Sequence, residues 1–163
     1  MAKNKEEKTN VMRVLEQKKI AYTAHTYPHE EGMAVDGVTV AKSMGFDPAI
    51  VFKTLVARGA SKRYYVFDVP VAENLDLKKA AKAVGEKSIE MIHQKELLPL
   101  TGYVHGGCSP VGMKKLFPTV FHETAENLET MIVSAGKIGY QVELAPHDLA
   151  ALVRAKFADI IAE

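Results

Sequence analysis

The sequence has a single cysteine and no long apolar run, and each of these features excludes a class of protein. Because Cys108 has no second cysteine to pair with, no intrachain disulfide can form, and a reducing compartment is expected. No stretch of roughly 18 uncharged apolar residues could form a membrane-spanning helix. The opening residues, MAKNKEEKTN, are polar and lack the apolar core of a signal peptide. We therefore expect a cytoplasmic protein without a membrane partner.

An excess of charge of either sign is also missing. The chain has 21 Lys and Arg against 20 Asp and Glu, a formal net charge of +1. This balance excludes a globally basic nucleic-acid coat protein, so any RNA contact must be local. With 163 residues, 47% of them hydrophobic and 25% charged, the composition is that of a globular domain. No linker, low-complexity tract or repeat divides the chain, and we predict a single domain over residues 1–163.

Common catalytic and cofactor motifs are absent as well. There is no GxSxG, HExxH or paired CxxC, and Gly136-Lys137 is followed by Ile138 where a phosphate-binding P-loop needs Ser or Thr. His25 and His29 are four residues apart, but Pro28 between them disfavours a shared helix face, and no third ligand is evident. The sequence therefore predicts neither a metal nor a cofactor.

What is present is a series of short helices and strands joined by glycine-rich segments. Helices are predicted from Thr9 or Asn10 to about Lys18, over 38–44 before Gly45, over 77–84 between Asp76 and Gly85, over 93–98, and from Pro146 to about Ala155. Strands are predicted over 20–27, 50–57, 64–71, 88–91, 119–123, 130–136 and 140–145, the second and third forming an antiparallel hairpin. The order of these helices and strands is not a regular βαβ repeat. This order predicts a mixed α/β fold with a curled, barrel-like mixed sheet surrounded by helices.

Two places on this framework could carry chemistry. In TGYVHGGCSPVGMKK, Ser109 and Pro110 have the pattern of a helix start, and Gly106-Gly107 before them would let the backbone approach a ligand. Backbone N–H groups at such a turn could bind a phosphate or an oxyanion, although a structural strand-to-helix turn has the same pattern. Lys53 interrupts an apolar run on the same predicted face as Val51. It either lies at a sheet edge or points into a pocket that holds an anion.

A basic cluster lies on the predicted helix after Asp76. Lys78, Lys79 and Lys82 follow helical spacing, which is typical of a solvated helix face and compatible with an RNA acceptor-stem contact.

Several segments together resemble one known family. VFKTLV, the VPV strand end, LDLKKAAKA, TGYVHGGCSPVGMKK and VSAGKIGYQVELAPHDL occur in the order found in the YbaK-type aminoacyl-tRNA deacylases, relatives of the prolyl-tRNA synthetase editing domain. Within that family the chain is most similar to the bacterial Cys-tRNA(Pro) deacylases. The resemblance implies a pocket for the aminoacylated 3′ end of tRNA(Pro). It leaves open a prolyl-tRNA synthetase as partner, and it implies no cofactor and no DNA partner.

The resemblance also implies which residues form the site. Lys53 and Gly106 would be catalytic, Gly106 presenting its N–H to the scissile carbonyl. Substrate binding would fall to Tyr27, Thr54, Gly107, Ser109, Pro110, Ser134, Gly136 and Asp148. One departure concerns the turn after Ser134, where many relatives have Arg and this chain has Ile138.

In cysteine-specific relatives the thiol of the substrate attacks its own ester, which would explain the absence of a catalytic triad. Three alternatives remain open. They are a non-catalytic RNA- or synthetase-binding adaptor, a deacylase for another small amino acid such as alanine, and a thiol hydrolase that uses Cys108 with nearby His105.

Overall fold

The computed structural model describes residues 8–30 and 33–163, so residues 1–7 of the polar opening lie outside the described part. The helices are α1 (Asn10–Gln17), α2 (Gly37–Ser43), α3 (Leu77–Val84), α4 (Gln94–Thr101) and α5 (Pro146–Val153). The strands are β1 (Thr23–Thr26), β2 (Phe52–Gly59), β3 (Tyr64–Pro70), β4 (Ile89–Met91), β5 (Thr119–His122), β6 (Met131–Ser134), β7 (Tyr140–Leu144) and β8 (Lys156–Ala158). Short 3-10 turns cover Pro48–Ile50 and Glu123–Asn127.

The helix ends follow local side-chain chemistry. The Thr9 hydroxyl accepts a hydrogen bond from the Met12 N–H, which fixes the start of α1. The Asp76 carboxylate accepts from the N–H groups of Lys78 and Lys79 in the first turn of α3, and Gly85 ends that helix at φ +76°. These predictions are confirmed because each depends on residues within one turn of the helix end.

The strands form two sheets rather than one closed barrel. One has the order β4-β2-β3-β5-β8 and combines the antiparallel β2–β3 hairpin with parallel β3–β5 and β5–β8 pairs. The other has the order β1-β7-β6 and is antiparallel. A parallel bridge between Val51 and Ile132 connects the two sheets. The predicted mixed α/β fold is confirmed, and this bridge brings the start of β2 close to β6.

The two faces of β2 pack on different parts of the core. Phe52 and Val56 belong to the larger apolar cluster, together with residues of α1 and α5. Ala57 belongs to a second cluster with α3, against which Leu55 also packs. The period-2 alternation of a strand therefore turns Lys53 toward the Leu55 face, as the sequence predicts.

The prediction that a helix starts at Ser109-Pro110 is wrong. Residues 102–118 contain neither helix nor strand. The Ser109 hydroxyl accepts a hydrogen bond from the Val111 N–H, which resembles an N-cap locally, but Gly112 then takes φ +79° and turns the chain away. This segment is a loop packed on the protein, and no helix dipole reaches Cys108.

Other differences are smaller. The first strand covers only Thr23–Thr26, and α4 continues through Pro99 to Thr101. Within residues 8–30 and 33–163, no helix is long and apolar enough to cross a membrane. In the same ranges, no three His, Cys, Asp or Glu side chains gather as metal ligands. His25 bonds the Glu143 carboxylate at 2.8 Å instead.

Candidate active site

A cavity of about 550 Å³ opens where the start of α2, the start of β2, the loop at 105–108 and the facing ends of β6 and β7 meet. Its wall brings together predicted site residues that are far apart in the chain, namely Tyr27, Lys53, Thr54, Gly106 and Ser134. The wall is otherwise mixed, with apolar residues such as Val40 and Val71 beside polar ones. A cavity with a few convergent polar groups in an apolar wall is the usual form of a small-ligand site.

Lys53 supplies the positive charge of the cavity. Its side chain is half-buried, and this burial lowers the pKa of the ammonium group, partly offset by the charges of Asp36 and Glu73. Asp36 lines the same cavity and caps α2 by accepting a hydrogen bond from the Thr39 N–H. Among the described residues, no carboxylate lies within 4.0 Å of the Lys53 ammonium group. Lys53 therefore holds a partly desolvated charge that an anionic ligand can neutralise.

Gly106 brings backbone to the cavity wall in a conformation that glycine favours. Its φ is +90°, and a Cβ atom at this position would lie 2.7 Å from the Cβ of Ala34. A Cβ on Gly107 would lie 3.1 Å from the backbone nitrogen of Ile138. The loop thus packs directly between the segment before α2 and the β6–β7 turn. Ile138 is buried against this loop.

Asp68 is a buried carboxyl group that the sequence analysis missed. It lies opposite Thr54 in the β2–β3 hairpin, and the Thr54 hydroxyl donates a hydrogen bond to its Oδ1 atom. The residue is fully buried, Oδ2 has no hydrogen-bond partner, and burial raises the pKa of this carboxyl group to about 7. The signal was present in the sequence, because an aspartate in the middle of YYVFDVPV interrupts a strand that is otherwise apolar.

Gln141 is a second polar residue that the sequence analysis missed. It lies on β7, lines the cavity, and its Oε1 atom is buried without a hydrogen-bond partner. An unpaired buried amide oxygen is costly in the free protein, and this one is enclosed by protein atoms at the cavity wall.

The remaining predicted residues do not line this cavity. Ser109 is buried and bonds its own loop, and Pro110 lines a smaller cavity beside Val111 and Met113. Gly107 and Gly136 are packed against neighbouring segments, Gly136 at φ +93° near Tyr103. Asp148 is exposed in the first turn of α5. Their contribution to a site would be to hold the loop and the turn in place.

The cavity also includes Cys108, whose environment argues against a nucleophile. The thiol is 7% exposed, and burial together with the charge of Asp68 raises its pKa to about 12. A thiol with this pKa is protonated at neutral pH and therefore a poor nucleophile. Because no helix begins at this position, no helix N-terminus is available to stabilise a thiolate.

The basic cluster on α3 is partly structural. The Lys79 ammonium group donates to the Asp159 carboxylate at 3.0 Å and to the Ile161 carbonyl at 2.9 Å. Lys79 therefore fastens the C-terminal segment, whereas Lys78 and Lys82 are exposed.

Comparisons with known proteins agree on one family. The model of the aminoacyl-tRNA editing domain matches residues 29–152. A protein of Enterococcus faecalis, named for a proposed Cys-tRNA(Pro)/Cys-tRNA(Cys) deacylase activity, is 46% identical over 161 residues, 98% of each chain. A crystal structure described as a proposed trans-editing enzyme for prolyl-tRNA synthetase aligns with a TM-score of 0.78 at 25% identity, over 94% of this chain and 95% of that one. The hypothetical protein APE2540 shares the fold, with a TM-score of 0.82 at 18% identity over 93% and 99% of the two chains.

Proposed function

The chain belongs to the aminoacyl-tRNA editing domain family, and from this premise we propose that it is a trans-editing deacylase that removes cysteine mischarged onto tRNA(Pro). The observation that carries the proposal is the cavity whose wall includes both Lys53 and Gly106. The relative named for Cys-tRNA(Pro) and Cys-tRNA(Cys) deacylation supports cysteine as the amino acid. Since that relative matches over 98% of this chain, it also supports one domain over residues 1–163.

The cavity suits an aminoacyl ester at the end of an RNA. Lys53 neutralises the phosphate next to the terminal adenosine, and the Gly106 N–H donates to the oxygen of the ester carbonyl. Tyr27, Thr54, Ser134 and Gln141 offer hydrogen-bonding groups for the ribose and the amino acid. Orientation is the main contribution of such a site, because an aminoacyl ester is already activated.

The proposed reaction uses the thiol of the substrate as nucleophile. The substrate sulfur attacks the carbonyl carbon of its own ester, and the negative charge moves to the carbonyl oxygen, where the Gly106 N–H stabilises it. When the C–O ester bond breaks, the ribose oxygen of the tRNA leaves and receives the proton that the thiol gave up. The products are uncharged tRNA and a cysteine thiolactone, which water then opens. No nucleophile of the protein is needed, which fits the protonated state of Cys108.

The test is a comparison of deacylation rates with Cys-, Ala- and Pro-charged tRNA(Pro). We expect Cys-tRNA(Pro) to be cleaved at least tenfold faster than the other two, because only its side chain carries a thiol. Equal cleavage of the Ala and Cys esters would favour a general small-amino-acid deacylase. If none of the three esters is cleaved above the spontaneous rate, the adaptor alternative replaces this proposal.

A synthetase is the further partner that this activity implies. The solved structure at 25% identity is described as a trans-editing enzyme for prolyl-tRNA synthetase, which supports prolyl-tRNA synthetase as the source of the mischarged tRNA.

A further inference from the structure

A groove of about 920 Å³ lies at the other end of the β2–β3 hairpin from Lys53. It is formed by the hairpin turn, the end of α3, the segment before β5, and the junction between α5 and β8. Its lining includes five cationic side chains and, among the described residues, no carboxylate: Lys62, Arg63, Lys115, Arg154 and Lys156. In a chain with a net charge of only +1, this is a strong local concentration of one sign.

These five side chains, which line what is called the cationic groove below, are exposed. Outside the groove, Lys8, Arg58 and Lys79 each contact a carboxylate within 4.0 Å. In the part of the chain that the structure describes, none of the five groove cations has such a contact. Glu86 is close enough to interact electrostatically with Arg63, but its oxygens bond Ser61 and the Tyr65 hydroxyl. The positive charge of the groove is therefore available to a ligand.

Backbone conformation adds a second observation. Lys62 and Arg154 have φ values of +77° and +57°, a region that glycine adopts without penalty. Besides these two, Lys19 is the only non-glycine residue in the described ranges with a positive φ. Two long cationic side chains thus occupy groove positions at which local geometry favours glycine.

The position of the groove suggests what binds there. From Lys53 to the end of β2 at Gly59 is six residues, about 20 Å at roughly 3.3 Å per strand residue. A ligand that filled only the Lys53 cavity could not reach so far. A tRNA can, because a phosphate backbone continues from the aminoacylated end along the acceptor stem.

We propose that the cationic groove binds the phosphate backbone of the tRNA whose aminoacylated 3′ end occupies the Lys53 cavity, an inference that rests on the proposed function. The Lys and Arg side chains neutralise phosphates on successive nucleotides and so select substrates by length and not by sequence. The partly buried Tyr64 and the exposed Leu116 give the groove an apolar side for ribose contact.

The test separates the groove from the cavity by comparing two substrates. One is Cys-tRNA(Pro), and the other is cysteine esterified to adenosine 5′-monophosphate, which ends before the groove. In Lys115→Gln/Lys156→Gln we expect kcat/KM to fall at least tenfold on the tRNA and to stay within twofold on the short ester. The matched control is Lys78→Gln/Lys82→Gln, which removes two exposed lysines of α3 outside the groove.

Binding of uncharged tRNA, measured against salt concentration, gives a readout without catalysis. Each lost phosphate contact should reduce the magnitude of the slope of log affinity against log salt concentration by about 0.9 for a duplex. In Lys115→Gln/Lys156→Gln the slope should therefore be smaller than in the wild type by close to two. Arg154→Gly should weaken tRNA binding while its melting temperature stays equal or rises, because glycine suits the left-handed backbone.

Three results would overturn the groove assignment. They are an unchanged salt slope in the groove pair, an equal loss in the α3 control pair, and an equal loss of activity on the short ester. Failure of the proposed function has a different signature, since the wild-type protein would then cleave neither ester whatever the salt slope shows.

Discussion

At the scale of single residues, the site depends on groups that are buried more deeply than their charge favours. Lys53 is half-buried and Asp68 is fully buried. Burial lowers the pKa of Lys53 and raises the pKa of Asp68, so it favours the neutral form of each side chain. Gln141 adds an amide oxygen without a partner. Each of these groups costs stability in the free protein. For Lys53, which lines the cavity, an anionic ligand can supply the missing interaction.

We predict that Lys53→Met abolishes deacylation without loss of stability. Methionine keeps the apolar length of the side chain but removes the charge, so kcat/KM should fall by about 10²–10³-fold. Because burial already disfavours the ammonium group, the melting temperature should not decrease. Steady-state kinetics and thermal melting of Lys53→Met, Lys53→Ala and the exposed-lysine control Lys78→Met give the answer. Wild-type turnover in either Lys53 variant would remove this residue from the mechanism.

Asp68 makes stability depend on pH in a defined direction. Its pKa is about 7 in the folded protein and roughly 3.9 when unfolded, so between these values the native state holds a proton that the unfolded state has released. Stability should therefore decrease as pH rises from about 4 to about 7.

Asp68→Asn should remove this dependence and keep an oxygen that accepts from the Thr54 hydroxyl. At pH 8 we expect the variant to be more stable than the wild type, on the order of 3 kcal/mol, with a much smaller difference at pH 4. Urea unfolding at both pH values measures the difference between the two proteins, in which contributions from other titrating groups largely cancel. A difference that does not change with pH would contradict the buried, raised-pKa state of Asp68.

At the scale of elements, the loop over 102–118 contributes to the cavity wall without regular structure. The Tyr103 hydroxyl donates to the Val111 carbonyl, and the Lys114 N–H donates to the Thr101 carbonyl at 3.0 Å. These contacts close the loop on itself, and Gly106 then fits against Ala34 at the cavity wall. A loop held this way can present backbone N–H groups without a helix start.

We predict opposite outcomes for two alanine substitutions in this loop. Gly106→Ala places a methyl group 2.7 Å from the Cβ of Ala34 in a left-handed conformation, so kcat/KM should fall at least 10²-fold. Cys108→Ala should leave kcat/KM within a few-fold, because its thiol is protonated. Gly45→Ala serves as the matched control for strain, since Gly45 has φ +76° and no atom within 4 Å of the added methyl group.

Deacylation rates and melting temperatures of the three variants distinguish a local effect from unfolding. An inactive Cys108→Ala protein with an unchanged melting temperature would restore the thiol-hydrolase alternative. Equal losses of activity in Gly106→Ala and Gly45→Ala would attribute the effect to backbone strain and not to the site.

At the scale of the whole molecule, a nearly neutral chain separates its charges into different regions. Lys53 places one positive charge at the cavity, while five cationic side chains line the cationic groove. The groove lies about 20 Å further along the hairpin, at roughly 3.3 Å per strand residue. Three cations outside these two regions, Lys8, Arg58 and Lys79, pair with carboxylates. The net charge of the chain therefore does not predict how strongly this protein binds a polyanion.

The sequence by itself determined the features that depend on neighbours in the chain. Thr9, Asp76 and Gly85 fix helix ends through bonds within one turn, and period-2 alternation gives Lys53 its face of β2. The family motifs likewise identified Gly106 and Thr54, since each lies in a short segment readable without the fold.

Only the tertiary structure decided which of these residues meet. Ser109 has the local pattern of a helix start, but Gly112 and the packing of 102–118 produce a loop instead. Strand register places Asp68 opposite Thr54 behind the cavity, Gln141 lies on the cavity wall, and Asp148 does not line the cavity. The cavity and the cationic groove are built from segments as much as a hundred residues apart, and their assembly depends on sheet order and packing, which no local signal encodes.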